Sequence, residues 1–195
     1  LFGYKWEGIC QNQPEIDAHK GAGDVLLQPL AKPGDFKFAD VNNDGLLNDD
    51  DRTYIGNPHP SLILGFNFSA GYKAFDFSAL FSGTLGNDMW NEHLAKHLVS
   101  IDNVPVDAYE KAWRQEGDNS GFPRITQSNL NNNGRTSSWY VEDRSYVRLK
   151  NIQLGYTLPG NIAAKTKIFS SCRIYVSGQN LLTFTNYTGM DPEVG

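Results

Sequence analysis

Two neighbouring stretches limit what this chain can become. Leu62-Ile63-Leu64-Gly65-Phe66-Asn67-Phe68-Ser69-Ala70-Gly71-Tyr72 and Ala74-Phe75-Asp76-Phe77-Ser78-Ala79-Leu80-Phe81-Ser82-Gly83 alternate large apolar residues with small or polar ones. Side chains of a strand point alternately to opposite faces. Leu62, Leu64, Phe66, Phe68, Ala70 and Tyr72 therefore share one side, and Gly65, Asn67, Ser69 and Gly71 share the other. Each run reaches the roughly 9–11 tilted residues that carry a strand across a bilayer. A hairpin of a soluble sandwich shows the same alternation and on that pattern alone is the commoner reading, so the rest of the chain has to decide.

With 195 residues the chain can bury one full core, and its length requires no second domain. A net charge of -5 without a stripe of Lys and Arg argues against a nucleic-acid partner. No run approaches the ~18 apolar residues of a membrane helix. Only strands could place this chain in lipid, and they satisfy their backbone groups there in a closed barrel. Leu1-Phe2-Gly3-Tyr4 lacks the basic start and apolar core of a signal peptide, so the chain reads as the interior of a longer protein. Cys10 and Cys172 form no CxxC or Cys/His metal spacing and read as packed or free thiols.

Leu1 to Ile9 is aromatic-rich and reads as a strand end, with Phe2, Tyr4 and Trp6 on one face. Prolines with many Gly, Asn and Asp make residues 10–60 a long loop, with a turn of helix at Glu15–His19. After the hairpin with its tight corner at Lys73, residues 85–138 form a second long connection. It carries helical stretches at 88–99 and 105–116; Pro105 suits the first helical position, and Val106, Tyr109 and Trp113 fall on one face. Strand character returns at Ser145–Leu158. There Ile152, Leu154, Tyr156 and Leu158 alternate in one parity and Val147 and Leu149 in the other, a mismatch that a bulge near Lys150-Asn151 repairs. Beyond the turn at Pro159-Gly160, Cys172, Ile174 and Val176 alternate with Arg173, Tyr175, Ser177 and Gln179. Connections thus run long, short, long, moderate (159–167), long (181 onward). Outer-membrane barrels sort loop length by parity in this way, and sandwiches have no reason to. The expected fold is all-β: antiparallel strands forming part of a large transmembrane barrel, with long outer loops carrying short helices. Five strands cannot close alone, so a larger barrel is implied.

The segment Asp40–Asp51 has the spacing of a calcium loop. Asp40, Asn42 and Asp44 occupy positions 1, 3 and 5, Gly45 makes the sharp turn, Leu46 offers a carbonyl, Asn48 acts through a water and Asp51 closes the loop. Ca2+ bound here would stiffen an outer loop. An acidic Asx-rich turn without metal is the alternative, since position 12 is Asp instead of Glu and Asp35-Phe36-Lys37-Phe38 reads as strand where a helix would flank the loop. His93 and His97 stand four apart beside Glu92, but the order is not that of a zinc protease. His59, between two prolines, shows no partner in the sequence. No Ser/His/Asp or paired-acid arrangement and no phosphate loop is present, so no enzyme is expected. Trp90, Trp113, Trp139, Tyr140 and Tyr187 suit an interfacial girdle, a sugar-binding mouth or ordinary packing.

The chain resembles the SusC/RagA type of TonB-dependent outer-membrane transporter from Bacteroidota. The resemblance is carried by Gly3-Tyr4-Lys5-Trp6-Glu7-Gly8-Ile9 with Gln11-Asn12, by Gly34-Asp35-Phe36-Lys37-Phe38 leading into Asp40–Asp51, and by Asp51-Arg52-Thr53-Tyr54-Ile55-Gly56-Asn57-Pro58. It continues through Gly65-Phe66-Asn67, Tyr72-Lys73-Ala74-Phe75-Asp76, Val141-Glu142-Asp143, Ser145 to Ile152, Leu154 to Pro159, and Ser177 to Phe184. The motifs run almost end to end and match the C-terminal part of that barrel. Gly189-Met190-Asp191-Pro192-Glu193-Val194 resembles the outer loop before the last strands, while plug, TonB box and closing strand are not in this sequence. Cys10 stands where the family usually has phenylalanine. The resemblance implies a plugged 22-stranded barrel, a SusD-like surface lipoprotein over its mouth, energy from the TonB complex through the plug, and uptake of oligosaccharides or peptides. In that setting Asn67, Ser69, Asp76, Ser78, Arg173, Ser177 and Gln179 would wet the lumen, and 85–138 would meet ligand or lipoprotein. A soluble calcium-stabilised β-domain that binds glycan or protein at a cell surface is the competing expectation; it would bury Phe66, Phe68, Phe75 and Phe77 in its own core. A secreted glycoside hydrolase ranks last, because no carboxylate pair nominates itself.

Overall fold

The computed structural model describes residues 1–98, 103–160 and 171–193. They divide into two compact units, residues 1–58 with 88–142 and residues 59–87 with 143–193.

The second unit is the alternating hairpin and its partners. Strands β5 (Leu62–Tyr72), β6 (Phe75–Leu85), β9 (Tyr146–Thr157) and β10 (Arg173–Thr185) form one antiparallel sheet in the order β10-β9-β6-β5. Tyr72 pairs with Phe75 across a corner where Lys73 takes a left-handed φ of 56°. Register then puts like with like: Phe66 faces Phe81, Phe77 faces Leu154 and Leu154 faces Val176. The bulge expected at Lys150-Asn151 is present. Asn151 pairs with Leu80 and Leu149 with Phe81, so Lys150 is left over and the parity of β9 inverts. Strand β10 answers with two extra residues between Gln179 and Leu182, of which Asn180 has a φ of 51°. Without the bulge at Lys150, Val147 and Leu149 would turn to the wet side, whereas the even number of residues added in β10 keeps Leu182 and Phe184 in the parity of Ile174 and Val176.

The result is one continuous apolar face and one polar face. The chain's own atoms do not cover the apolar one: Phe66 is 58% exposed, Phe68 46%, Phe75 53%, Val176 75% and Phe184 62%. At ~3.4 Å per residue and a tilt near 40°, an eleven-residue strand stands about 26 Å tall, the height of the apolar band of outer-membrane barrels.

The first unit holds what the sequence suggested would be loop. Strand β1 (Phe2–Gly3) pairs with β4 (Thr53–Tyr54), β2 (Trp6–Ile9) with β3 (Phe36–Phe38), and β7 (Asp88–Trp90) with β8 (Val141–Asp143). The expectation of one strand end at Leu1–Ile9 is corrected: these residues form two short strands that pair within this unit and do not join the four-stranded sheet. Phe36, Phe38 and Tyr140 are fully buried at the centre, with Ile9, Ala95 and Ala108 around them. Helix α1 (Gln13–Ala18) starts where Asn12 Oδ1 accepts from Glu15 N at 2.9 Å and has Pro14 in its first turn.

The two expected longer helices are shorter. Residues 88–90 are strand, and α2 covers Glu92–Leu98. Helix α3 is Val106–Lys111, with Pro105 as its cap; Ala112 is already extended and bridges Phe122. Its buried residue is Ala108, whereas Val106 is 73% and Tyr109 60% exposed. Trp113 lies beyond the helix, bonded through its indole N–H to Gln11 Oε1 at 3.1 Å. The girdle reading fails for four of the five aromatics: Tyr140 is a core residue, and Trp90, Trp113 and Trp139 pack against that core. Most of the connection 159–167 lies outside the described residues.

Candidate functional site

The polar face of the sheet gathers the residues expected to meet water. Ser69, Ser78, Gln153 and Ser177 form one row across all four strands, and Asn67, Leu80, Asn151 and Gln179 form the next. Such a surface offers donors and acceptors at strand spacing and no formal charge. One row toward the Lys73 corner, Arg173 donates through Nε to Asp76 Oδ1 at 3.0 Å and through Nη2 to Oδ2. This fork spans the strand between them because Gly155 leaves the space; a Cβ there would run into both partners. Chain connectivity places the two long connections at one end of these strands, since Leu62 pairs with Leu85 and Thr84 with Tyr146, while the Lys73 corner and the β9–β10 link lie at the other.

In the first unit the 40–51 segment closes on itself. Gly45, with φ 85°, donates its N–H to Asp40 Oδ2 at 2.9 Å. Asp44 Oδ1 accepts from Leu46 N at 2.8 Å, and Asn42 Oδ1 accepts from Asp44 N at 3.0 Å. Asp51, fully buried, accepts from Val41 N and Asn48 N, each at 2.8 Å, and Asn48 in turn accepts from Asp50 N at 2.7 Å. The Asn42 amide, then the Leu46 N–H, hold the Asp44 carboxyl below the usual carboxylate range. The six sequence-derived ligand positions thus share one tight turn, flanked by β3 and a 3-10 turn (Asp49–Asp51) where an EF-hand has helices. One oxygen stands out: Asp40 Oδ1 is buried and has no hydrogen-bond partner. Among the described residues no three His, Cys, Asp or Glu side chains converge as a metal-binding group, so a cation here would draw on amide and carbonyl oxygens as well.

Beside this loop, a cleft of about 390 Å³ is lined by Glu7, His19, Gly21, Asp40 and Asn43 among others. No motif in the sequence singles out His19. Its side chain is 10% exposed, Nε2 lies 3.9 Å from Glu7 Oε2, and Nδ1 is buried without a partner. Burial, reinforced by Lys37, pushes its pKa down. His93 and His59 are exposed, and the His97 side chain lies outside the described residues, so the four-residue pair is not tested as a unit.

A second feature without a local signature is a buried amide network that completes the free edge of β3. Gln28 donates to Phe36 O at 2.8 Å and accepts from Phe38 N at 2.8 Å, while Asn133 accepts from Phe36 N at 3.1 Å and Asn131 donates to Phe36 O at 2.9 Å. Side chains here do the work of a neighbouring strand. Asp35, 1% exposed, anchors the network through Arg124 Nε at 2.8 Å and Asn133 Nδ2 at 3.0 Å.

No protein-family model matches the chain. It is similar to TonB-dependent receptor P3 of Formosa agariphila, with 38% identity over 99% of this chain and 18% of that protein. TonB-dependent receptor P26 of the same organism is 33% identical over 98% of the chain and 19% of its own length. TonB-dependent receptor SusC of Bacteroides thetaiotaomicron is 26% identical over 84% of the chain and 16% of its own length. Among solved structures, the RagAB peptide importer in its open-open state matches all of this chain and 20% of its own with a TM-score of 0.71 at 22% identity, a likeness of fold. The resemblance read from the motifs therefore holds, and the sheet has the fold of part of a TonB-dependent barrel. The chain spans about a fifth of the length of these relatives.

Proposed function

We propose that this chain is a section of the barrel wall, from the C-terminal portion, of an outer-membrane nutrient importer of the SusC/RagA type. Its apolar face would meet lipid and its Ser/Asn/Gln face the lumen, with the connections 10–60 and 85–138 on the extracellular side. The observation that carries this reading is the uncovered apolar face: a soluble domain would bury Phe66, Phe68 and Phe75, and here each is about half exposed. The whole protein would work with a SusD-like surface lipoprotein, take energy from the TonB complex through a plug, and pass oligosaccharide or peptide. It would transport without chemical change, so no catalytic residue is assigned. A soluble calcium-stabilised β-domain remains the second reading, favoured by the calcium-like loop. Deletion of the gene should abolish growth on the imported nutrient, and detergent-free purification of the whole protein as a monodisperse monomer would reject the barrel.

Ca2+ in the 40–51 loop belongs to this proposal. Asp40, Asn42, Asp44, Leu46 (through its carbonyl), Asn48 and Asp51 would hold it, and the unpartnered Asp40 Oδ1 fits a cation better than it fits an empty turn. The ion would cross-link the loop and stiffen the first unit. Calcium titration by calorimetry should give one site that is lost in the Asp40→Ala, Asp44→Ala variant; equal affinity in both proteins removes the loop as the site.

A further inference from the structure

The charges of β9 on its water-facing side are not left to solvent. Arg148, 6% exposed, donates through Nη2 to Asp191 Oδ1 at 2.6 Å, through Nη1 to Glu193 Oε2 at 2.7 Å and through Nε to Thr183 Oγ1 at 2.9 Å. Lys150, the bulge residue, reaches Glu193 Oε2 at 2.6 Å. Arg144 adds bonds to the backbone, from Nη2 to Glu193 O at 3.0 Å and from Nε to Pro192 O. Asp191 Oδ1 also accepts from Glu193 N at 2.8 Å, which closes the turn and presents both carboxylates on one side. A guanidinium offers a rigid fork of donors, and here every arm of it meets an acceptor.

The position of these bonds is unexpected. Thr185 pairs with Tyr146 at the end of the sheet where the long connections attach, so residues from 186 onward are free to run outward, as the resemblance implies for 189–194. Instead the segment turns back over the polar face to Arg148, two residues into β9, and to Lys150, four residues in. A cleft of about 320 Å³ remains between it and the wall, lined by Thr183, Thr185, Gly189 and Asp191 among others.

We propose that residues 186–193 are an inward-folded strap, latched by Arg148 and Lys150 to the water-facing wall, which narrows the passage along that wall and masks its two cations. The direction of that passage rests on the barrel reading; the latch itself does not. Two acidic groups of the strap neutralise two basic groups of the wall, so release would both widen the route and expose a cationic patch. Of the two cations Arg148 is the stronger anchor, because its side chain is 8% exposed and holds both carboxylates, while the Lys150 side chain is 28% exposed and reaches Glu193 alone.

The test is hydrogen exchange and cysteine labelling on the detergent-solubilised whole protein that contains this chain. The Glu193 amide, bonded to Asp191 Oδ1, should be protected, and Asp191→Asn with Glu193→Gln should speed its exchange on the order of tenfold or more. Lys150→Gln should do so far less. That double variant leaves every strand residue in place, so it stays informative even where Arg148→Gln does not fold. Unprotected exchange at Glu193 in the unaltered protein, or no change in the double variant, would each overturn the strap. Reaction of Phe68→Cys with a lipid-dissolved probe reports the barrel separately, so failure of one reading is told apart from failure of the other.

Discussion

A lysine scan along β5 tests the two-faced sheet where it is most exposed to refutation. Phe68 lies four residues from Tyr72 and six from Leu62. At ~3.4 Å per residue and a tilt near 40°, that is about 10 Å from one end of the apolar band and about 16 Å from the other. Phe68→Lys therefore places an ammonium near the bilayer midplane, where a lipid-facing Lys costs about 2–4 kcal/mol; Leu62→Lys and Tyr72→Lys, at the edges, should cost about 0–1 kcal/mol. Ser69→Lys turns into water and should be near neutral although it is the next residue in sequence. The assay is guanidinium titration of the whole protein in phospholipid bilayers, with folded and unfolded fractions read from gel mobility. A peaked profile with strict one-residue alternation is expected. A profile flat along the strand, or a Ser69→Lys variant as damaged as Phe68→Lys, would refute the assignment of lipid to the Leu/Phe face.

Three further outcomes follow from the first unit, which contains all four tryptophans, so that indole fluorescence reports its unfolding. Arg124→Met leaves Asp35 buried with two of its charge-assisted bonds gone, and should lower stability in urea by about 3 kcal/mol or more, with Asp35→Asn in the same background recovering part of the loss. His19 has a lowered pKa in the folded chain, so between that value and the ordinary 6.5 the unfolded state binds more protons: stability is complete above 6.5 and declines as pH falls below it. Fluorescence-detected urea midpoints at pH 7.5 and 5 should differ in that sense, and His19→Gln should shrink the difference. Burial holds the Cys10 thiol protonated by pushing its pKa up to about 12, so iodoacetamide at pH 8 should modify Cys172 in the native protein and Cys10 only after denaturation, as peptide mapping will show.

Legibility in the sequence followed the range of the interactions. The hairpin, its corner at Lys73 and the bulge at Lys150 were readable because each is a statement about parity among neighbours. The turn at 40–51 was readable for the same reason: its hydrogen bonds join residues no more than ten apart, as from Val41 to Asp51. Helix limits were not, because Ala112 leaves α3 to bridge Phe122, a partner no local pattern announces. The aromatics near strand ends went to a core instead of a girdle, since Trp90 and Tyr140 found each other across 50 positions of sequence.

Alternation of apolar and polar residues, by itself, determined that two long antiparallel strands would have a dry side and a wet side, because side-chain direction follows from backbone geometry at every step. Tertiary structure alone decided that residues 1–58 and 88–142 fold into a unit with its own buried centre, that Gln28, Asn131 and Asn133 finish the edge of β3, and that Asp191 and Glu193 come back to Arg148. Apart from Gln28, which lies eight to ten residues from its partners, those outcomes depend on closing loops of tens to a hundred residues. The contacts that repay such closure are made by side chains whose local surroundings look like ordinary polar loop.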